Sequence, residues 1–106
     1  MSYRFMRMIV MFDLPTETVE DRRNYRAFHK ALIKNGFYMM QESIYTRMVL
    51  NPSVQRSAAD VIRKNKPPQG SVQILTVTEK QFSQMEFIVG TYHSEVIDTD
   101  ERLVIL

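Results

Sequence analysis

An α+β sandwich, with two helices packed on one face of an antiparallel sheet in the order βαββαβ, is the fold class that three observations predict. Two apolar runs, Met6 to Phe12 and Val72 to Val77, read as strands near the two ends of the chain. Between them lie two amphipathic stretches that open on capping residues. Turn chemistry at Pro15, Gly36 and Pro67-Pro68-Gln69-Gly70 separates the segments.

The first run ends in Asp13-Leu14-Pro15. Pro15 cannot donate to a ladder, so the strand stops there and delivers a carboxylate at its mouth. Alternation puts Met6, Met8, Val10 and Phe12 on one face and Arg7, Ile9, Met11 and Asp13 on the other. Both faces carry apolar residues and need cover. Thr18 followed by Asp21 is a capping box, and Tyr25, Phe28, Ala31, Leu32 and Asn35 recur at helical spacing before Gly36, which predicts a helix over about residues 19–35.

Residues 37–49 are strand-like on both sides of Gln41-Glu42-Ser43. With no Gly, Pro or Asn in that interruption, a tight hairpin and one bent strand both remain open. Asn51-Pro52 starts a second helix with apolar Val54, Ala58, Val61 and Ile62, and the Pro-Pro-Gln-Gly loop closes it. After the strand at 72–77, Thr78-Glu79-Lys80-Gln81 opens about two helical turns, and Phe87-Ile88-Val89 before Gly90 reads as a short strand. Residues 1–90 form the core domain. Residues 91–106 form an acidic tail ending in Leu103-Val104-Ile105-Leu106, four aliphatics that call for a docking surface. Two helices cover one sheet face only, so a second copy is the simplest cover for the other: a homodimer.

With 106 residues and no cysteine, the chain reads as one domain without disulfides or thiolate metal sites. No apolar run is long enough for a membrane span, and the first residues lack a secretory signal pattern, so a cytoplasmic protein with no membrane partner is expected. The net charge of +2 conceals a division: residues 1–80 carry thirteen Lys and Arg against seven Asp and Glu, and residues 81–106 carry one against five. A basic body suits a polyanion. Arg22, Arg26, Lys30 and Lys34 recur every fourth residue along the first helix, with Arg23 and His29 beside them, over roughly 18 Å.

Met11-Phe12-Asp13-Leu14-Pro15, then Gln41-Glu42-Ser43-Ile44-Tyr45, then Lys66-Pro67-Pro68 and Leu75-Thr76-Val77-Thr78-Glu79-Lys80-Gln81-Phe82 together resemble CRISPR-associated protein two. The version resembled accompanies single-effector (type II), RNA-guided nuclease systems. The likeness runs over nearly the whole chain in order and spacing. It implies a ferredoxin-like monomer, a two-fold homodimer and a C-terminal strand, Leu103 to Leu106, docking on a partner. It further implies a spacer-acquisition scaffold that bridges dimers of the CRISPR-associated integrase, protein one, and holds a duplex DNA prespacer between them. Several members are described as magnesium-dependent endonucleases with the first-strand aspartate as metal ligand; the matching residue is Asp13.

Asp13 therefore has two readings, a cap on the coming turn or a ligand for Mg²⁺ shared between two copies of the chain. The cations Arg22, Arg23, Arg26, Lys30 and Lys34 are either a solvated helix face or a track for a duplex backbone. Arg56, Arg63, Lys64 and Lys66 are weaker candidates. Gln41, Ser43 and Tyr45 read as hairpin hydrogen bonding, His29 and His93 as surface residues, and the methionines as gap fillers in core and interface. No phosphate loop, nucleotide fingerprint or acyl-transfer triad is present in the sequence. A DNA scaffold, a metal-dependent phosphodiesterase and a metabolite-binding regulatory domain are the three function classes left. Only the last predicts no salt-dependent duplex binding.

Overall fold

Residues 6–13 are apolar on both faces, and the fold puts them in the middle of its sheet. The structure is a computed structural model that describes residues 5–90. The elements are β1 (Met6–Asp13), α1 (Val19–Lys34), β2 (Tyr38–Gln41), β3 (Ile44–Val49), α2 (Pro52–Lys64), β4 (Ser71–Thr78) and α3 (Glu79–Ser83). The sheet order is β2-β3-β1-β4, and every neighbouring pair is antiparallel. This is the expected α+β sandwich.

Register pairs Val10 with Tyr45 on one side and Ile74 on the other, so one sheet face gathers Met8, Val10, Phe12, Tyr45 and Val49. Phe28 and Leu32 of α1 and Ala58 and Ile62 of α2 close over that face. Phe12 lies at the centre, edge-on to Phe28 at 5.2 Å and stacked with Tyr45 at 5.6 Å. Full burial of such side chains stabilises by about 1.5–3 kcal/mol each.

Local chemistry sets the helix boundaries. The Thr18 hydroxyl accepts from the Asp21 N–H at 2.9 Å, and the Asp21 carboxylate accepts from the Thr18 N–H at 3.2 Å. Asn51 accepts from the Val54 N–H ahead of Pro52, and Thr78 with Gln81 forms a second reciprocal box. Asn35 ends α1, and Gly36 takes the left-handed conformation (φ +89°) that glycine adopts without strain.

The open question at residues 41–43 resolves as a hairpin: β2 and β3 pair, with a register shift between Met39 and Gln41. Ser43 supplies the left-handed turn residue (φ +68°) that no glycine or asparagine announced. Two expectations are corrected. α3 is five residues long, little more than one turn, because the Gln84 N–H bonds back to Gln81 and tightens its end. Residues 87–89 are not a strand among the described residues. A strand exists by pairing, and the four-stranded sheet offers them no ladder, leaving Ile88 and Val89 81% and 89% exposed.

The helix-free sheet face is partly covered by α3, which packs on β1 and β4. Met48 and Leu75 on that face remain 40% and 50% exposed, with Phe5 and Leu50 also exposed just beyond the ends of β1 and β3. The tail, including Leu103, Val104, Ile105 and Leu106, lies outside the described residues.

Candidate metal and nucleic-acid site

Asp13 is the last residue of β1, and both neighbours hold it in place. On one side the Phe12 N–H donates to the Ser43 carbonyl at 3.1 Å, tying the end of the strand to the β2–β3 turn. On the other, Asp13 pairs with Ser71, immediately after Gly70. A Cβ on Gly70 would stand 2.7 Å from the Asp13 carbonyl oxygen and 2.7 Å from Leu14 Cδ2, at φ +97°. Only glycine accommodates both that backbone angle and that approach. Gly70→Ala is expected to destabilise the fold by about 3 kcal/mol, from left-handed strain plus a backbone clash. Urea unfolding should show a lower midpoint with an unchanged slope.

The Asp13 side chain is exposed and makes no hydrogen bond or ion pair with the described residues. It does not cap the coming turn; Thr18 caps α1 instead. No group of three metal-ligating His, Asp or Glu side chains occurs among the described residues. One open carboxylate nevertheless fits Mg²⁺, which commonly takes one or two carboxylates and completes its octahedron with water and phosphate oxygens.

The cationic residues of α1 divide into two groups. Residues four apart on an α-helix differ by about 40° in direction, so a row of four drifts by roughly 120° from end to end. Arg22 falls out of the row: its guanidinium donates to the carbonyls of Thr16 and Glu17 at 3.1 and 3.0 Å and ties down the loop after Asp13. Arg23, Arg26, Lys30 and Lys34 line an open groove floored by Ala27 and Ala31, with Asn65 from the end of α2 on its wall. Arg23 forms an exposed pair with Glu20 at 2.6 Å, an interaction of small net worth. Arg26, Lys30 and Lys34 are exposed and make no ion pair with the described residues. Arg63 of α2 pairs with Asp60, and Arg56 and Lys64 of α2 and Lys66 just after it are exposed.

Two polar clusters escape sequence reading. His29 is half-buried rather than on the surface, and its Nδ1 is hydrogen-bonded to the hydroxyl of Tyr45, whose ring is fully buried. On the helix-free face, Arg7 is buried and bidentate to Glu79: Nε to Oε1 at 3.0 Å and Nη2 to Oε2 at 2.6 Å. Its Nη1 donates to the Tyr38 hydroxyl at 2.9 Å, and its guanidinium lies 4.4 Å from the centre of the Phe82 ring. Burial pulls the Arg7 pKa down, but the bonds to Glu79 and Tyr38 outweigh it and leave the value raised. An arginine in an apolar strand was the available signal, but its partner is 72 residues away.

Comparisons with known proteins agree with this fold. A family model described as CRISPR associated protein Cas2 matches residues 6–85. Proteins named CRISPR-associated endoribonuclease Cas2 are similar to this chain. The one from Treponema denticola is 54% identical over 95% of this chain and 100% of its own length. Those from Streptococcus mutans and Lacticaseibacillus rhamnosus are each 44% identical over 95% of this chain, and over 93% and 100% of their own lengths. A solved structure titled "Crystal structure of cas2" superposes with a TM-score of 0.59 over 84% of this chain and 91% of that one, at 19% identity, a likeness of fold. No described helix is long and apolar enough to cross a membrane. From a family match that spans all four strands of the sheet and both major helices, and from relatives matched nearly end to end, the chain belongs to the CRISPR-associated protein Cas2 family.

Proposed function

We propose that the chain is a cytoplasmic CRISPR adaptation subunit, of the form accompanying single-effector systems. In this reading a two-fold homodimer binds duplex prespacer DNA and bridges dimers of the CRISPR-associated integrase. The observation that carries it is a division of surfaces: exposed cations lie along α1, and exposed Met48 and Leu75 lie on the opposite face of the sheet. A second copy covers the apolar face, and a polyanion lies on the cationic one. Residues 91–106 serve as the docking tail. Backbone contacts of this kind position a duplex without reading its sequence.

A second reading is favoured by the word endoribonuclease in the names of the relatives and by the unengaged Asp13 carboxylate. Here Asp13 is a ligand to Mg²⁺, and Arg26, Lys30 and Lys34 hold the strand to be cut. When bound, the ion would supply charge stabilisation on a phosphodiester and a more acidic water.

Spacer integration reconstituted with the cognate integrase separates the two readings, comparing no addition, wild type and Asp13→Ala, each confirmed as a dimer. The scaffold reading expects wild type to be required and Asp13→Ala to match it. Loss of integration by dimeric Asp13→Ala makes the carboxylate essential, and no requirement for wild type ends the adaptation reading.

A further inference from the structure

Beside the cationic groove, across Arg26, α1 meets the β2–β3 hairpin at a hollow of about 360 Å³. That volume falls in the range of pockets that hold small organic ligands, about 300–1,000 Å³. Tyr25 and Met39 form its walls, buried Tyr45 its floor, and Arg26, His29 and Glu42 its polar rim. Walls of this kind favour a flat apolar ring, and the rim offers one cation and one carboxylate.

The hollow is held rigid from behind. Phe12 lies edge-on to Tyr25 at 5.9 Å and stacks on Tyr45 at 5.6 Å, so one core ring orients both tyrosines. The His29 ring is fixed by its Nδ1 bond to Tyr45 and by edge-on packing at 5.5 Å. Because Phe12 precedes Asp13 and bonds to the hairpin turn, the hollow and the carboxylate flank the same strand end.

We propose that this hollow seats a single unpaired nucleobase, with guanine as the best match. The base lies against Tyr25 and Met39, where stacking on an aromatic wall needs no particular sequence. Its phosphate meets Arg26, which stands on the crest between the hollow and the cationic groove and lines both. Glu42 selects the base. A carboxylate accepts and does not donate, so it favours a base edge rich in N–H groups. Guanine presents two parallel donors on its pairing edge, whereas uracil presents one donor between two carbonyls that the carboxylate repels. In a duplex that edge is occupied, so only an unpaired nucleotide qualifies.

The inference rests on the nucleic-acid reading above, and one experiment separates their failures. Fluorescence anisotropy at fixed salt measures the full-length protein binding to a short uridine strand and to the same strand with one central guanosine, each as RNA and as DNA. The guanosine strand is expected to bind about tenfold more tightly, in line with a bidentate base contact. Glu42→Gln should abolish that ratio. Glu42 is exposed at a turn, and any general gain from removing its negative charge affects both strands alike and leaves the ratio as the readout. A ratio seen in only one of RNA or DNA assigns the seat to that sugar. Equal binding of both strands by wild type, or a ratio unchanged in Glu42→Gln, overturns the seat and leaves the cationic groove standing. Failure to bind any single strand, while a DNA duplex of the same length still binds, overturns the seat alone; failure with that duplex as well overturns both.

Discussion

Glu79→Ala is expected to destabilise the protein by about 2–3 kcal/mol, roughly 10–20 °C in Tm for a domain of this size. The substitution leaves Arg7 buried with its charge and two of its three hydrogen bonds unanswered. Stranding a buried ion costs more than removing it, which sets the order of the variants. Arg7→Met should lose less than Glu79→Ala, and the double variant less than the sum of the two. The Glu79 side chain is 33% exposed, which keeps the effect at the lower end of the range for buried pairs. Because the Arg7 pKa is raised on folding, its contribution is complete below the unfolded value and lost only as pH rises through the folded one, at strong alkalinity. Stability curves of wild type and Arg7→Met should therefore run parallel across ordinary pH. Thermal unfolding of the four proteins of this cycle checks both statements.

The second large effect is on duplex binding. Reversing Arg26, Lys30 and Lys34 together to Glu is expected to weaken affinity at least about a hundredfold near physiological salt and to lower the salt slope by about three. Arg22→Ala, by contrast, should leave the slope unchanged, since that guanidinium is bonded to the Thr16 and Glu17 carbonyls. Titrating a duplex over several salt concentrations distinguishes the two classes. A slope that responds equally to Arg22 would mean that the cations act as a diffuse field and not as a track.

What the sequence made legible was local. Thr18 with Asp21, Asn51 with Pro52, and Thr78 with Gln81 act within one helical turn, and each boundary falls where its capping chemistry puts it. The first-strand aspartate was legible for the same reason, since Pro15 stops the ladder two residues later. The hairpin was hidden because Ser43 takes a backbone angle normally announced by glycine. The cationic row is legible only in part, because residues four apart turn by about 40° at each step, and Arg22 reaches the Thr16 and Glu17 carbonyls while Arg26, Lys30 and Lys34 line the groove. His29 and Arg7 were opaque for a deeper reason: their partners, Tyr45 and Glu79, become neighbours only when the sheet assembles.

The Arg7 clamp also bears on the order of assembly. Its three members stand at positions 7, 38 and 79, so it cannot close until β1, the β2–β3 hairpin and the segment after β4 are all in place. Its side-chain bonds close only after the strands that carry them have paired, which places them late in folding. A contact absent from the transition state adds nothing to the folding rate, and its whole energy appears as resistance to opening. The clamp thus acts as a latch that lengthens the lifetime of the native sheet.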